Sequence, residues 1–274
     1  MNIKDIIEDI NSLPPLSDVH YLIYPFSKYK RETISVSKLV SMIESDAILA
    51  ANILRMINAP YYGFSKKIAS VTQAVTLFGT DMIYGLLLNY AIQTTLKANV
   101  RPYCLSNEQF NEICHLQSSL TLQWYSKVDE ESARLLAPLA LIMETGKLVV
   151  SREIVRSSLI KEFSLGIKQT DNITLYEDSL FGSSSYYVSG LLFEHWNMRP
   201  LYVAILKGLD YEYDTLVEID EYIDVLDVIR TAVNIKDPLS YKSLDQAAQL
   251  VEAMRLNADD FLKVAKALKR YYEY

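Results

Sequence analysis

The most constraining part of the sequence is the stretch at residues 135–150, LLAPLALIMETGKLVV, which is apolar at almost every position. A helix on a protein surface keeps a polar stripe facing water, and this stretch has no stripe of that width. Only Glu144, Thr145 and Lys147 interrupt it, close to its carboxyl end. The pattern predicts a helix at the centre of a helical domain. A carboxylate inside such a helix needs either a partner or a function.

Apolar residues recur at helical spacing along most of the chain. Ile3, Ile6, Ile7 and Ile10 follow the i, i+3, i+4, i+7 pattern at the N-terminus. The 274 residues include only eight glycines, fewer than an average share of roughly 7% would give, which favours long helices joined by short loops. No strand-like alternation of useful length occurs. The sequence therefore predicts an all-α protein.

Capping and breaking residues divide this pattern into separate helices. Asp46 is a predicted N-cap, and Gly79 is the expected C-cap between two helices. Pro138 lies either near the start of the central helix or at a kink in a longer one. We predict helices over about the following residues: 2–11, from 17 onward, 39–43, 48–57, 71–78, 80–96, 108–127, 152–166, 175–180, 186–196, 200–209 and three more between 217 and 274.

Charge and composition exclude several classes of protein. The net charge is −7, and no dense cluster of Lys and Arg interleaved with aromatics is present, so we expect no nucleic-acid partner. The longest apolar window, near residues 82–92, is about half a membrane span, and the N-terminus has no basic leader. We expect no membrane partner. Two cysteines, Cys104 and Cys114, fit a reducing cytoplasm better than a disulfide framework.

Several short motifs occur in a recognisable order. The first four are Leu13-Pro14-Pro15-Leu16, residues 45–55 (SDAILAANILR), residues 58–63 (NAPYYG) and residues 68–79 (IASVTQAVTLFG). Later in the chain, residues 144–148 (ETGKL) fit an HD-x-G-[KR]-L-like segment. Residues 194–198 (EHWNM) fit a Leu-x-x-Trp-x-x-Pro turn with Pro200 displaced by one. Over about residues 10–212 the chain resembles the HDOD family, the non-catalytic relatives of HD-superfamily phosphohydrolases in bacterial signalling proteins.

This resemblance implies a fold and a setting. We expect a multi-helical HD-like bundle over residues 1–212, with a helical extension over residues 213–274 packed on it. The implied function is a non-catalytic regulatory protein of bacterial signal transduction, acting as a binding or output module for a protein partner. A nucleotide-like ligand is a further option under the same resemblance.

The candidate catalytic position lacks the residues of an HD site. A catalytic site of that type needs an adjacent His-Asp pair, with a further His and a later Asp, to hold divalent metal ions. Here the pair position reads Met143-Glu144, and Met is a poor ligand for hard ions. Of His20, His115 and His195, only His115 lies where a first ligand would be expected. We therefore predict no enzyme activity, no catalytic or metal-binding residues and no cofactor.

Several roles remain open for the polar residues of this region. His115 and Glu144 are candidates for a vestigial polar pocket, whereas the structural alternative pairs Glu144 with Lys147 or Arg134. A divergent metal phosphohydrolase would use Glu144, His115 and Asp210. A third hypothesis is a small-molecule sensor, with a pocket between the HDOD-like domain and the C-terminal helices.

The aromatic turn after the fourth predicted helix is a candidate partner surface. Tyr61, Tyr62 and Phe64 are the residues expected there, because exposed aromatics are favoured anchors at protein interfaces. Packing against a neighbouring helix is the alternative. The apolar stripes of the C-terminal helices either cap the domain or form a homodimer.

Overall fold

The computed structural model describes residues 2–14, 16, 35–64, 66–210 and 217–272. Over these ranges the chain forms α-helices joined by short turns and contains no β-strand. The all-α prediction is confirmed. The helix predicted from residue 17, which would include His20, lies outside the described residues.

The helices are numbered in chain order. The N-terminal part contains α1 (Ile3–Asn11), α2 (Val36–Glu44), α3 (Ala47–Ile57), α4 (Val71–Leu96) and α5 (Asn107–Leu120). The middle part contains α6 (Glu130–Ile142), α7 (Gly146–Arg156), α8 (Ile160–Gln169), α9 (Ile173–Phe181), α10 (Ser185–His195) and α11 (Pro200–Gly208). The C-terminal part contains α12 (Asp220–Ala232), α13 (Tyr241–Ala253) and α14 (Ala258–Tyr272).

Local capping signals account for several helix starts. The hydroxyl of Ser35 caps α2, and the carboxylate of Asp46 accepts two backbone N–H groups at the start of α3. At the start of α5, Ser106 and Gln109 form a capping box, in which each side chain accepts the backbone N–H of the other. Such caps satisfy amides that have no acceptor within the helix. The predicted N-cap at Asp46 is confirmed.

Gly79 interrupts α4. Its φ of 79° and ψ of 166° are not helical, and a residue with a side chain rarely adopts a positive φ of this size. The predicted break at Gly79 is thus confirmed. Only α4, among the described helices, is long and apolar enough to cross a membrane, and 61% of its most apolar window is buried inside the protein. The buried core helix of a globular protein can be equally long and apolar, so the length and composition of α4 do not identify a membrane span.

The central apolar stretch is not one continuous helix, which corrects the sequence prediction. Helix α6 ends at Ile142, the three residues Met143–Thr145 form a 3-10 turn, and α7 begins at Gly146. Pro138 lies inside α6 rather than at its start. The stretch is nevertheless buried as expected: every residue from 136 to 150 is buried. Burial therefore follows from the composition, but the break does not.

Two glycines allow neighbouring helices to approach closely. A Cβ atom on Gly146 would lie 1.8 Å from the carbonyl oxygen of Ser185, so α7 meets α10 backbone to backbone. The N–H of Gly146 donates to the Ser189 hydroxyl at 2.7 Å. A Cβ atom on Gly85 of α4 would likewise lie 2.5 Å from the Cβ of Pro138 in α6. These contacts fix the position of the turn that carries residues 143–145.

The single helix predicted over residues 152–166 is also wrong. The structure ends α7 at Arg156 and begins α8 at Ile160. Ser158 between them has a φ of 58°, in the left-handed region that ends helices. The sequence offers no glycine or proline at this point, and the break therefore gives no strong local signal.

The C-terminal extension packs on the preceding helices. The extension forms three helices, as predicted, with breaks over residues 233–240 and 254–257. The ring of Phe261 packs edge to face on Trp124 with centroids 5.0 Å apart. The Tyr125 hydroxyl donates to Glu221 at 2.8 Å. The division into domains at residues 212 and 213 remains a prediction.

The close approach at Gly146 predicts a large cost for a single methyl group. In Gly146→Ala the new Cβ collides with the backbone of α10, and we expect a loss of about 3 kcal/mol in the free energy of unfolding. Urea denaturation followed by circular dichroism measures this loss. The control is Gly182→Ala, which has open space but a φ of +73° and should cost about 1 kcal/mol. Equal losses would contradict the predicted collision.

Candidate functional site

Glu144 lies at the centre of a buried polar cluster. Its side chain is 1% exposed and sits on the 3-10 turn between α6 and α7. The Nζ atom of Lys147 lies 2.5 Å from its Oε2 atom. Its Oε1 atom accepts hydrogen bonds from Gln117 Nε2 at 2.8 Å and from the Tyr186 hydroxyl at 2.9 Å. The carboxylate therefore has a cation and two neutral donors around it.

Lys147 is enclosed as completely as its partner, with 2% of the residue exposed. Besides Glu144, its ammonium donates to the Ser185 hydroxyl at 2.9 Å. It also lies over the ring of Tyr186, 4.2 Å from the ring centroid, and 5.9 Å from that of Tyr103. Cation–π contacts of this kind are strongest where water is excluded. The lysine thus replaces its hydration shell with a carboxylate, a hydroxyl and aromatic faces.

A second carboxylate extends the cluster. Glu177 is fully buried; its Oε1 atom accepts the Tyr103 hydroxyl at 2.7 Å and its Oε2 atom accepts the Ser185 N–H at 2.7 Å. We call the following set the Glu144 cluster: Tyr103, Gln117, Glu144, Lys147, Glu177, Ser185 and Tyr186.

The pKa values of the central pair favour the charged forms. Burial alone would raise the pKa of Glu144, but the charge of Lys147 and the hydrogen bonds from Lys147, Gln117 and Tyr186 outweigh it, and the pKa is lowered. For Lys147, burial is the largest single effect and lowers the pKa, but the charge of Glu144, the contributions of Tyr186 and Glu177 and the hydrogen bond to Glu144 together outweigh it, and the pKa is raised. Because a lowered carboxyl pKa stabilises the fold only while the group is ionised, this contribution is lost as the pH falls through the folded-state pKa.

The cluster is tied to the C-terminal extension. Gln117, which bonds Glu144, also donates to the carbonyl oxygen of Val233 at 2.9 Å. The guanidinium carbon of Arg230 lies 4.6 Å from the centroid of the Tyr186 ring. Its Nη1 atom donates to the carbonyl oxygen of Leu209 at 2.7 Å. Gln117 and Tyr186 thus each connect the extension to the buried pair, because each contacts both Glu144 and a residue of the extension.

Sequence reasoning found only part of this cluster. The salt bridge between Glu144 and Lys147 was one of the alternatives, and the structure confirms it rather than the pairing with Arg134. Spacing by three residues in an apolar stretch was the signal for it. Gln117, Tyr186 and Glu177 were missed, because they come from distant segments and carry no local motif.

The structure does not place His115 against Glu144. His115 is fully buried, and its Nδ1 atom lies 2.9 Å from the Tyr62 hydroxyl. The ring also stacks on that of Tyr61, with centroids 5.4 Å apart, while Nε2 has no hydrogen-bond partner among the described residues. Burial lowers the pKa of His115 to about 4. His115 and Glu144 thus have separate hydrogen-bond partners, and the vestigial pocket that would join them stays a prediction.

The aromatic turn is largely part of the interior. Tyr62 is 6% exposed, and its ring packs edge to face on Phe78 with centroids 5.2 Å apart. Tyr61 is partly buried and packs against the core. The extension covers this turn, since α14 packs against it. Phe64 alone of the three predicted surface aromatics is well exposed, at 42%, and the expectation for Tyr62 is wrong.

The residues at the pair position do not fit a divalent metal. Met143 is completely buried and offers only a thioether, which hard ions avoid. The Lys147 ammonium already lies 2.5 Å from Glu144, where a second cation would be repelled. Across the described parts of the chain, no three His, Cys, Asp or Glu side chains are grouped as metal ligands would be. The residues at this position therefore support no reaction step through a metal.

Two of the short sequence motifs meet in the fold. The indole Nε1 of Trp196 donates to the carbonyl oxygen of Pro14 at 3.2 Å. His195 Nε2 lies 3.3 Å from the carbonyl oxygen of Leu13. The motifs are 182 residues apart in sequence. The end of α10 therefore anchors the segment that follows α1.

Fold, motif contacts and the altered pair position together define an all-helical protein of the HD-like type. The sequence profile of the HDOD domain matches residues 13–208, which is more than half of the chain. The chain belongs to the HDOD family, as the resemblance implied. No curated protein matches the sequence. Helices α12 to α14 lie beyond the matched region.

Solved structures show the same fold at low sequence identity. A proposed phosphohydrolase from Shewanella amazonensis is 15% identical with a TM-score of 0.70, and the match covers 97% of this chain and 93% of that one. An HDOD domain protein of unknown function from Geobacter sulfurreducens is 13% identical with a TM-score of 0.62, over 98% and 99%. A proposed signal transduction protein from Marinobacter aquaeolei is 18% identical with a TM-score of 0.66, over 98% of this chain but 59% of that one.

The buried ion pair predicts strong non-additivity between substitutions. Glu144→Gln or Lys147→Met alone leaves one buried charge without its partner and should cost about 3–5 kcal/mol in the free energy of unfolding. The double variant removes both charges, and we expect it to cost about 2 kcal/mol less than the sum of the two. Urea titrations near neutral pH measure all four proteins. A double variant whose loss equals the sum would show that the two charges do not interact.

The buried imidazole predicts a specific sensitivity to acid. Folding lowers the pKa of His115 from 6.5 to about 4, so the unfolded chain binds the additional proton between these values. The free energy of unfolding therefore decreases as the pH falls below about 6.5, and by pH 5 the decrease due to His115 is about 2 kcal/mol. We expect the unfolding free energy of wild type to fall by this amount more than that of His115→Gln between neutral pH and pH 5. Parallel pH profiles for the two proteins would contradict the burial of a neutral imidazole.

Proposed function

We propose that this protein is a non-catalytic signalling module of the bacterial cytoplasm that acts by binding a protein partner. One observation carries the proposal. At the position of the His-Asp pair, Met143 is buried and apolar, and Glu144 is neutralised by Lys147 at 2.5 Å. The charge that a metal would supply in a catalytic site is supplied here by a side chain of the protein.

The residues that a divergent phosphohydrolase would use are each bound to a different partner. Glu144 is held by Lys147, and His115 by Tyr62. The Oδ2 atom of Asp210 accepts the backbone N–H of Ser184 at 2.8 Å. A hydrolytic site needs such groups to converge on one substrate atom. Their separate engagement supports a binding function over a divergent phosphohydrolase.

The signalling setting rests on the family and on similarity of fold. Membership of the HDOD family supports it, and the Marinobacter protein is a proposed signal transduction protein. The Shewanella protein is a proposed phosphohydrolase, so turnover has to be measured on this chain itself. For partner contact, Phe64 is the candidate that the structure leaves exposed.

Metal content and turnover test the proposal together. We expect untagged protein to retain less than about a tenth of an equivalent of any transition metal after incubation with Mn²⁺ and dialysis. Phosphate monoesters and diesters should stay intact in the same samples. Elemental analysis and phosphorus NMR provide the two measurements.

The matched control is Glu144→Ala, which removes the only carboxylate at the pair position. Under the proposal it binds the same background amount of metal as the wild type. Retention of about one or two equivalents by wild type, lost in Glu144→Ala, would identify a working metal site and overturn the proposal.

A further inference from the structure

A cavity of about 400 Å³ opens between the family-matched helices and the C-terminal extension. The family-matched side contributes the start of α9 together with Lys147 and Tyr186, and the extension contributes the end of α12 and the start of α13. A volume of this size lies within the range of small-ligand sites, about 300–1,000 Å³. None of the lining residues was a predicted site residue; Lys147 was predicted only as a structural partner of Glu144.

The buried charged groups that line the cavity are both cationic. Lys147 is 2% exposed and Arg230 is 6% exposed. Each is paired with a carboxylate that does not line the cavity: Glu144 for Lys147 and Asp227 for Arg230. A guanidinium presents several N–H donors in a plane, which suits the oxygens of a phosphate or carboxylate. The enclosed part of the cavity therefore presents the cationic member of each ion pair, with its N–H donors, and not the carboxylate.

Carboxylates appear only at the exposed rim. Asp171 is 85% exposed and pairs with Lys242, which is 65% exposed, at 2.9 Å. Asp237 is exposed as well. Lys236, also at the rim, donates to the carbonyl oxygens of Lys168 and Thr170, which are neutral acceptors. Solvent screens exposed charges far more than buried ones, and the rim carboxylates therefore offset the buried cations only weakly.

Two helices begin at the cavity wall. The N-cap of α9 is Asn172 and the N-cap of α13 is Ser240, and both residues line the cavity. The first amides of a helix have no acceptor within it, and the helix N-terminus carries partial positive charge. Helix starts of this kind add donors for an anion. They reinforce the buried Lys147 and Arg230.

We propose that this cavity binds a small phosphorylated molecule of about mononucleotide size. Buried cations, the hydroxyl and amide groups of the wall and two helix starts together match the several acceptor oxygens of a phosphate group. The ligand would contact residues of both the HDOD domain and the extension. Its binding would therefore set how firmly the extension holds to the domain, which gives the signalling module an input.

This inference rests on the proposed function in one respect, that the ligand is kept without turnover. Isothermal titration calorimetry of the full chain measures binding, and phosphorus NMR of the same mixtures measures turnover. The probes are inorganic phosphate, pyrophosphate and adenosine monophosphate, with adenosine and citrate as references. We expect at least one phosphate-bearing probe to bind with a Kd at or below about 1 mM, and adenosine not to bind.

Each outcome separates the two proposals. Binding without turnover supports both, and turnover of a bound probe overturns the non-catalytic function while the cavity assignment stands. Binding of citrate alone, or no binding of any phosphate probe, overturns the cavity assignment and leaves the proposed function intact.

Charge reversal locates the site. Thr231→Glu, which adds a carboxylate to the cavity wall, should weaken binding about tenfold. Lys242→Glu, at the exposed rim, should weaken binding by only about twofold, because solvent screens an exposed charge. The control is Lys266→Glu, a charge reversal at an exposed lysine of α14 outside the lining, with an unchanged Kd expected. Equal weakening by Lys266→Glu and Thr231→Glu would show nonspecific electrostatics and overturn the assignment.

Discussion

The ion pair between Glu144 and Lys147 is the interaction on which the polar interior of this protein depends. Both side chains lie out of reach of water, where a single unpaired charge is far more costly than at the surface. Each charge therefore requires the other, together with neutral groups that complete their hydrogen bonds. Gln117, Tyr186 and Ser185 provide these groups from α5 and α10. The requirement to satisfy one pair thus fixes the relative positions of several helices.

The same pair explains how the fold can hold a buried carboxylate at the position of the His-Asp pair. A buried carboxylate at this point of the fold has to be compensated by positive charge, whether from a metal or from a side chain. Lys147 supplies that charge from within the chain, three residues further on. The fold then needs no bound ion for its stability, and the position beside Glu144 can be occupied by an apolar residue, Met143.

Lys147 also connects the buried cluster with the cavity, since it belongs to both. Arg230 of the extension also lines the cavity and contacts the cluster through the ring of Tyr186. A ligand that draws on these cations would act on groups that the family-matched helices and the extension share. If the cavity binds a ligand as proposed, the extension is part of the binding site, whichever way the chain is divided into domains.

Local sequence determined the helices, their caps and most of their breaks, because these depend on neighbouring residues. Asp46 caps the helix that follows it directly, and Gly79 breaks the helix in which it lies. It also determined that residues 136–150 are buried, because a run so apolar has no face for water. Only the tertiary structure decided the 3-10 turn, the burial of Tyr62 and the partners of Glu144. The hydrogen bonds of Gln117 and Tyr186 to Glu144 span 27 and 42 residues, and that of Gln117 to Val233 spans 116. Contacts of this length arise from which helices pack together, and no local pattern encodes them.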